Sequence, residues 1–237
     1  MGSSPISHPN VPCAIGAQET AVLPLFDRPR SEVAAGAVHV PSWLPSRSQA
    51  ALVRAWRDWA TPPAGMRHTL MPNGSQMSVQ TVCLGWHWRP YAYSKTVDDG
   101  DGAPVKPLPA WLVDLGRRAV AEAYGDAGTY RPDVALVNYY RAGARMGMHA
   151  DRDEKSGAPV VSLSIGDSCV FRFGNVASRN RPWVDLELVS GDLFVFGGPA
   201  RLAHHAVVRT HAGTAPPELG LEGRLNITLR ESGLSPS

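Results

Sequence analysis

Val134-Ala135-Leu136-Val137-Asn138-Tyr139-Tyr140 opens the half of the chain in which the residue pattern runs on a period of two. Short β-rich runs follow it at 160–165, 168–173, 184–189, 193–196, 205–209 and 225–230. Ser190-Gly191-Asp192 and Gly197-Gly198-Pro199 punctuate them as turns. Many short strands with Gly-rich turns, preceded by helices, predict a mainly β fold with flanking helices (α+β). The architecture expected is a double-stranded β-helix, or jelly roll, backed by an N-terminal helical layer. No internal repeat is present.

Two helices are predicted ahead of this core. Ser46-Arg47-Ser48-Gln49 is a capping-box pattern, and Leu52, Val53, Trp56 and Trp59 follow it at helical spacing until Pro62-Pro63. The second begins near Pro109, carries Leu112, Leu115, Ala119 and Ala123 on one stripe, and ends at Tyr124-Gly125. Between them, Asn73-Gly74 signals a hairpin and 85–93 is aromatic-rich. Asp98-Asp99-Gly100-Asp101-Gly102 is a loop, without the further oxygen ligands and closing Glu of a calcium site. The division expected is a disordered tail over 1–20, one domain over 21–230 with its β core at 134–230, and a second tail over 231–237.

The 237 residues suit one β-rich domain, and a hydrophobic fraction of 43% is ample for a core. No run of eighteen apolar residues exists, so no membrane association is expected. The N-terminus lacks the basic and apolar segments of a secretory signal. Three widely spaced cysteines without a CxxC pair indicate free thiols in a reducing cytoplasm. A net charge of +2 is too small to announce nucleic acid, so any such partner has to be argued from local residues.

His149-Ala150-Asp151 carries the chemistry. In extended chain, residues two apart point the same way, so both side chains can aim at one ion. Two imidazoles and one carboxylate on one face of an octahedral iron(II) leave positions open for co-substrate and oxygen. The short motif also occurs by chance, in which case His149 is an ordinary histidine and Asp151 a turn residue. Asp153 shares the parity of Asp151 but lies two residues further on. His204 and His205 face opposite sides of a strand, so only one can be the second imidazole, and spacing does not choose between them.

Arg224, Asn226, Thr228 and Arg230 share one face of the last strand, opposite Leu225, Ile227 and Leu229. An amphipathic strand ordinarily turns such a face to solvent. A buried guanidinium instead requires a paired carboxylate, which 2-oxoglutarate offers at each end. The two arginines stand roughly 20 Å apart along a straight strand, so both can serve one short molecule only through a bend or side-chain reach.

Together these segments resemble the AlkB family of Fe(II)/2-oxoglutarate-dependent dioxygenases, of the bacterial AlkB type. The resemblance is carried by 136–154, by Pro159-Val160-Val161-Ser162-Leu163-Ser164-Ile165-Gly166 and by Gly191-Asp192-Leu193-Phe194-Val195-Phe196-Gly197-Gly198. Arg201-Leu202-Ala203-His204-His205 and 224–230 extend it. Ala34-Ala35-Gly36-Ala37-Val38, Met77-Ser78-Val79, Gly85-Trp86 and Tyr91-Ala92-Tyr93 carry it into the N-terminal half. It implies iron held by His149, Asp151 and His205. It implies 2-oxoglutarate held by Asn138, Tyr140, Arg224, Asn226 and Arg230, with Leu136 and Ser162 lining its pocket and O2 as co-substrate.

The implied activity is oxidative removal of methyl groups from bases such as 1-methyladenine and 3-methylcytosine, in DNA (single-stranded favoured) and in RNA, releasing formaldehyde and succinate. Residues 66–100 would form the nucleotide-recognition lid. Trp86 and His149 would sandwich the flipped base, Tyr91 and Tyr93 would contact the nucleotide, Asp153 would read the base and Arg179 would assist. A cytoplasmic monomer with no obligate protein partner is expected. The chain departs from the bacterial type at Ser75, where that type has an aromatic, and at Phe196, which replaces a tryptophan. The match between Gly174 and Pro182 needs a one-residue gap. The competing readings are a 2-oxoglutarate-dependent hydroxylase of a protein or small molecule, and a catalytically idle nucleic-acid-binding module.

Overall fold

A computed structural model describes residues 28–235. In chain order it runs β1 (Ser31–Ala34), β2 (Ala37–Val40), α1 (Ser46–Ala60), β3 (Arg67–Leu70), β4 (Gln76–Leu84), β5 (His87–Arg89), β6 (Ala92–Ser94) and α2 (Ala110–Tyr124). It continues through β7 (Val134–Tyr140), β8 (Met146–His149), β9 (Val160–Gly166), β10 (Ser168–Phe173), β11 (Val184–Leu188), β12 (Leu193–Phe196), β13 (His205–His211) and β14 (Arg224–Arg230). An eight-stranded sheet, β1-β2-β12-β9-β14-β7-β4-β3, faces a four-stranded sheet, β11-β10-β13-β8, and β5-β6 forms a separate small hairpin. This is the jelly roll that the strand pattern predicts.

The large sheet is covered on both sides, which sets what its strands can carry. Leu225, Ile227 and Leu229 pack in one cluster with Leu52 and Val53 of α1 and Leu112, Leu115 and Ala119 of α2. Each of the leucine, isoleucine and valine side chains contributes about 1.5–3 kcal/mol by leaving water. On the other face, Tyr140, Phe194 and Phe196 of the large sheet meet Phe171 and Phe173 of the small one. Strand β14 lies between β7 and β9, with Asn226 opposite Asn138 on one side and Ser164 on the other. All seven of its residues are buried. Its polar face therefore points between the sheets, not into solvent.

Both helices form where the periodicity places them, and only the start of α1 differs from expectation. Helix α1 has Pro45 at its N-cap and no side-chain cap, so the capping box does not form. Gln49 is turned elsewhere: its Nε2 donates to Leu44 O at 2.8 Å, and its Oε1 accepts from Ser190 Oγ at 2.6 Å. Helix α2 ends on Gly125, whose φ of 86° is the left-handed C-cap that glycine suits. Asn73-Gly74 does turn β3 into β4.

The tail expected over 1–20 lies outside the described residues. The second tail is corrected in part: Ser232 is fully buried, and its backbone N–H and Oγ both donate to the Asp133 carboxylate at 2.6 Å. A polar segment reads as tail only until a buried acceptor is found for it. Among the described residues no helix is long and apolar enough to cross a membrane.

Asp192, in the turn between β11 and β12, ties the N-terminal strands to the roll. Its carboxylate accepts from Arg28, from His39 Nε2 at 3.0 Å, and from the backbone N–H of Ser42 and of Val189, both at 3.0 Å. Burial raises its pKa, but the His39 and backbone hydrogen bonds and the Arg28 charge bring it below the usual carboxylate value. A depressed carboxylate stabilises the fold fully above the unfolded value of about 3.9, and that share is lost as pH falls through the folded value. Asp192→Ala is expected to cost about 3–5 kcal/mol, since it strands buried donors. Thermal melting would show this as a drop of roughly 6–20 °C, and the variant should lose part of the acid sensitivity of the parent.

Candidate active site

The two imidazoles meet because of strand pairing. In the β8–β13 ladder His149 stands directly opposite His205, so both rings project from the same face, with centroids 4.4 Å apart. The register shifts between His205 and Val207, the kind of irregularity that re-aims a side chain beside a site. Asp151 follows just past the end of β8. His149 Nε2 lies 3.8 Å from Asp151 Oδ1, and His205 Nε2 lies 3.8 Å from Asp151 Oδ2. One ligand atom from each of the three residues falls within 4.8 Å of the others.

The surroundings fix the ligand atoms. His149 Nδ1 bonds Gly147 O at 2.9 Å and His205 Nδ1 bonds Ala203 O at 3.1 Å, which leaves both Nε2 atoms as the acceptors. Burial first, and then the neighbouring His149, hold His205 down to about 4. Burial would raise Asp151, but Arg230 foremost, then His205 and His149, bring it down to about 2. At neutral pH these two side chains are thus a neutral imidazole and a carboxylate. Asp151 Oδ2 is buried without a hydrogen-bond partner among the described residues. A divalent cation is the group that such a donor set lacks.

The two rivals left open by spacing resolve. His204 turns its Nδ1 to Asn175 O at 3.0 Å and its Nε2 to Arg152, away from the triad. Asp153 accepts at 2.8 Å from the indole N–H of Trp88.

A cavity of about 680 Å³ opens from the triad between the two sheets, a size suited to small ligands. Leu136, Asn138, Tyr140, Ser162, Arg224, Asn226 and Arg230 all line it. Arg224 is 1% exposed, and its Nη2 donates to Ser164 Oγ at 3.0 Å, while Nε and Nη1 have no partner among the described residues. Such a group needs a carboxylate. Around it Asn226 Nδ2 donates to Ser162 Oγ at 2.8 Å, and Thr81 Oγ1 to Asn138 Oδ1 at 2.8 Å. Arg230, at the other end of β14, pairs with Asp151 Oδ1 and Glu154 Oε1, each at 2.9 Å. Its pKa is raised: burial opposes, but Asp151 and Glu154 outweigh it. The two arginines thus sit at opposite ends of one cavity, with Arg230 beside the triad and Arg224 away from it.

Tyr91, Asp153 and Arg179 also line the cavity, as do Ser75 of the β3–β4 turn and Phe196. Four methionines, Met71, Met77, Met146 and Met148, line it too. Tyr91 is 78% exposed and holds a left-handed φ of 69°, an uncommon conformation for an aromatic residue. Tyr93 does not line it; its hydroxyl donates to Glu154.

Trp86 is a correction. It packs outside the cavity against Cys83, Val134 and Leu136, with Lys95 Nζ 3.5 Å from its ring centroid. Trp88 lines the cavity instead. Strand parity does not choose between the two, since Trp86 and Trp88 both neighbour buried His87 and lie two residues apart. Glu154 and Arg201 also went unread. Arg201 donates to Asp151 O at 2.8 Å and to Glu154 Oε2 at 3.0 Å, which braces the loop that carries the metal carboxylate.

Comparison with known proteins agrees with this geometry. The model of the 2OG-Fe(II) oxygenase superfamily matches residues 36–230. The alpha-ketoglutarate-dependent dioxygenase AlkB of Escherichia coli is 37% identical over 189 residues, covering 77% of this chain and 84% of that one. The AlkB homolog of Caulobacter vibrioides is 43% identical over 165 residues, covering 67% and 71%. The DNA N(6)-methyladenine demethylase ALKBH1D of Arabidopsis thaliana is 33% identical over 220 residues; these are 82% of this chain, which spans about half (49%) of that relative. The solved structure of OsALKBH1 superposes with a TM-score of 0.73 at 31% identity, covering 83% of this chain and 98% of that one. With the triad, the paired arginines and the roll in place, the chain belongs to the 2OG-Fe(II) oxygenase superfamily and, within it, to the AlkB dioxygenases.

Proposed function

We propose that the protein is an Fe(II)/2-oxoglutarate-dependent dioxygenase that demethylates alkylated bases in nucleic acid. The observation that carries this reading is one cavity with the His149–Asp151–His205 triad and two buried arginines below, and an aromatic, arginine-bearing mouth above. Iron(II), when bound, supplies the coupling of 2-oxoglutarate decarboxylation by O2, which yields succinate and carbon dioxide, to hydroxylation of an N-methyl carbon. The hydroxymethyl group then leaves as formaldehyde and the base regains its N–H or lone pair.

The chain's own residues do the binding, orienting and sheltering. His149, Asp151 and His205 would hold the metal on one face. Arg224 would take the carboxylate of 2-oxoglutarate that lies away from the metal, with Asn138, Asn226 and Tyr140 beside it. Leu136 and Ser162 would line its walls. Arg230 would stand by the carboxylate nearer the metal and keep Asp151 ionised and in place. The buried floor excludes water from the reacting carbon.

At the mouth, a base stacked in a duplex cannot reach the triad, so the nucleotide is flipped and the cavity accepts it. Exposed Tyr91 offers a stacking surface, and Asp153 a carboxylate that favours a cationic base such as 3-methylcytosine or 1-methyladenine. Arg145, Arg152 and Arg179 are exposed at the cavity and suit phosphate contacts. Residues 66–100 serve as the recognition lid and 134–230 as the catalytic core. Single-stranded DNA is the substrate favoured, with RNA second, and the enzyme works as a cytoplasmic monomer. Relatives whose names include AlkB dioxygenase and DNA demethylase support the substrate class.

Three outcomes test this reading. His149→Ala and Asp151→Ala should reduce iron-dependent succinate formation to background and remove Mn(II) binding in calorimetry; a variant that keeps both would exclude that residue as a ligand. Arg224→Gln should raise the KM for 2-oxoglutarate by roughly 30-fold or more, because it truncates a buried charge partner, with a smaller effect on kcat. A panel of methylated DNA and RNA oligonucleotides, read by mass spectrometry of the product base, should show formaldehyde-coupled demethylation. If no methylated oligonucleotide stimulates 2-oxoglutarate turnover, hydroxylation of a protein or small molecule takes its place.

A further inference from the structure

We propose that the segment following β14, Glu231-Ser232-Gly233-Leu234-Ser235, is a strap that positions both the metal-bearing loop and the recognition hairpin, with Asp133 as its fastening. The inference deepens the demethylase reading above and rests on it for one of its two readouts. The Asp133 carboxylate accepts from the backbone N–H of Ser232, from Ser232 Oγ and from Ser235 Oγ, each at 2.6 Å. Ser232 is fully buried, so lifting the strap strands its donors away from water. Asp133 is itself fixed just ahead of β7, where its backbone N–H donates to Arg230 O at 3.0 Å.

The strap has two arms. One holds the loop that carries Asp151, Asp153 and Glu154. Ser232 O accepts from the backbone N–H of Lys155 at 2.8 Å, and Glu231 Oε2 accepts from Ser156 Oγ at 3.2 Å. Gly233, at a left-handed φ of 70°, lies so close to this loop that a Cβ would stand 2.8 Å from Ser156 N. The other arm holds the residue that leads into β5: Ser235 Oγ accepts from Trp86 Nε1 at 3.3 Å. The Trp86 ring packs behind Leu136, which lines the cavity together with Trp88. A ligand in the cavity stands between hairpin residues such as Trp88 and Tyr91 and loop residues such as Asp151 and Asp153. Outside the cavity the strap joins those two sides, alongside the Tyr93–Glu154 hydrogen bond. None of residues 231–235 lines the cavity, so the strap acts only through the residues it holds.

The test pairs Mn(II) calorimetry and thermal melting of the full chain with kinetics of the iron- and 2-oxoglutarate-loaded enzyme on a 3-methylcytosine oligonucleotide. Ser235→Ala cuts the hairpin arm alone. It should raise the oligonucleotide KM by about fivefold, with kcat, the KM for 2-oxoglutarate and Mn(II) affinity within about twofold of the parent. Gly233→Ala pushes on the loop arm and should weaken Mn(II) binding by about tenfold, as loss of outer support for a metal ligand does. Asp133→Ala should produce both losses, and Asp133→Asn, which keeps one acceptor oxygen, should recover part of each. An Asp133→Ala variant that melts lower yet keeps both constants within about twofold has lost structure alone and overturns the inference. If Asp133→Ala does not fold, Ser235→Ala and Gly233→Ala, both at exposed positions, decide: parental constants in both overturn it. A parent inactive on every methylated oligonucleotide overturns the demethylase reading instead, and Gly233→Ala against Mn(II) then decides the strap.

Discussion

The contact on which the site depends is the Arg230 guanidinium between Asp151 and Glu154. Three charged groups are buried together there, and each is tolerable only because the others are present. Arg230 holds Asp151 ionised, Arg201 holds Glu154 and the backbone of Asp151, and Tyr93 closes the group from the β5–β6 hairpin. The metal carboxylate is thereby braced before any metal arrives. The same cluster links three layers: the large sheet through β14, the loop after β8, and the small hairpin that carries Trp88.

Strand pairing supplies the rest. Antiparallel register puts His149 across from His205, and the alternation of β14 puts Arg224, Asn226, Thr228 and Arg230 on one face between the sheets. Helices α1 and α2 cover the opposite face with Leu225, Ile227 and Leu229. Without that covering layer the strand would have one wet side, and its polar residues would occupy it. The helical layer therefore decides indirectly that the arginines are available to a ligand.

Much of this was legible in the residues. Period-two runs locate seven of the eight strands from β7 onward, and their bounds move by no more than two residues. Strand β8, Met146-Gly147-Met148-His149, was not read, because it lacks the β-branched residues that mark a strand and is recognised only by its partner β13. Parity fixed His149 with Asp151, whereas the choice of His205 over His204 needed the ladder, or a family resemblance. The division of labour between Arg224 and Arg230 also needed three dimensions, since a strand's rise separates them and only the shared cavity reunites them. Trp86 was misread because a linear motif carries no information about which side of a short hairpin faces the site. The buried partners Glu154, Arg201 and Asp133 are invisible in sequence for a related reason: charged residues read as surface until a fold encloses them.

The site straddles the two sheets. The triad comes from β8, β13 and the loop beyond, on the small sheet, and the arginines come from β14 on the large one. Neither sheet alone presents a place for the metal and the co-substrate together. Both ligands consequently act as a clasp on the folded state: they bind the docked sheets and not the open chain, so their binding free energy adds to the stability of the roll. The same arrangement means that a half-folded chain leaves iron and oxygen uncoupled from any complete site, and oxidation chemistry begins only once the protein that must contain it is closed.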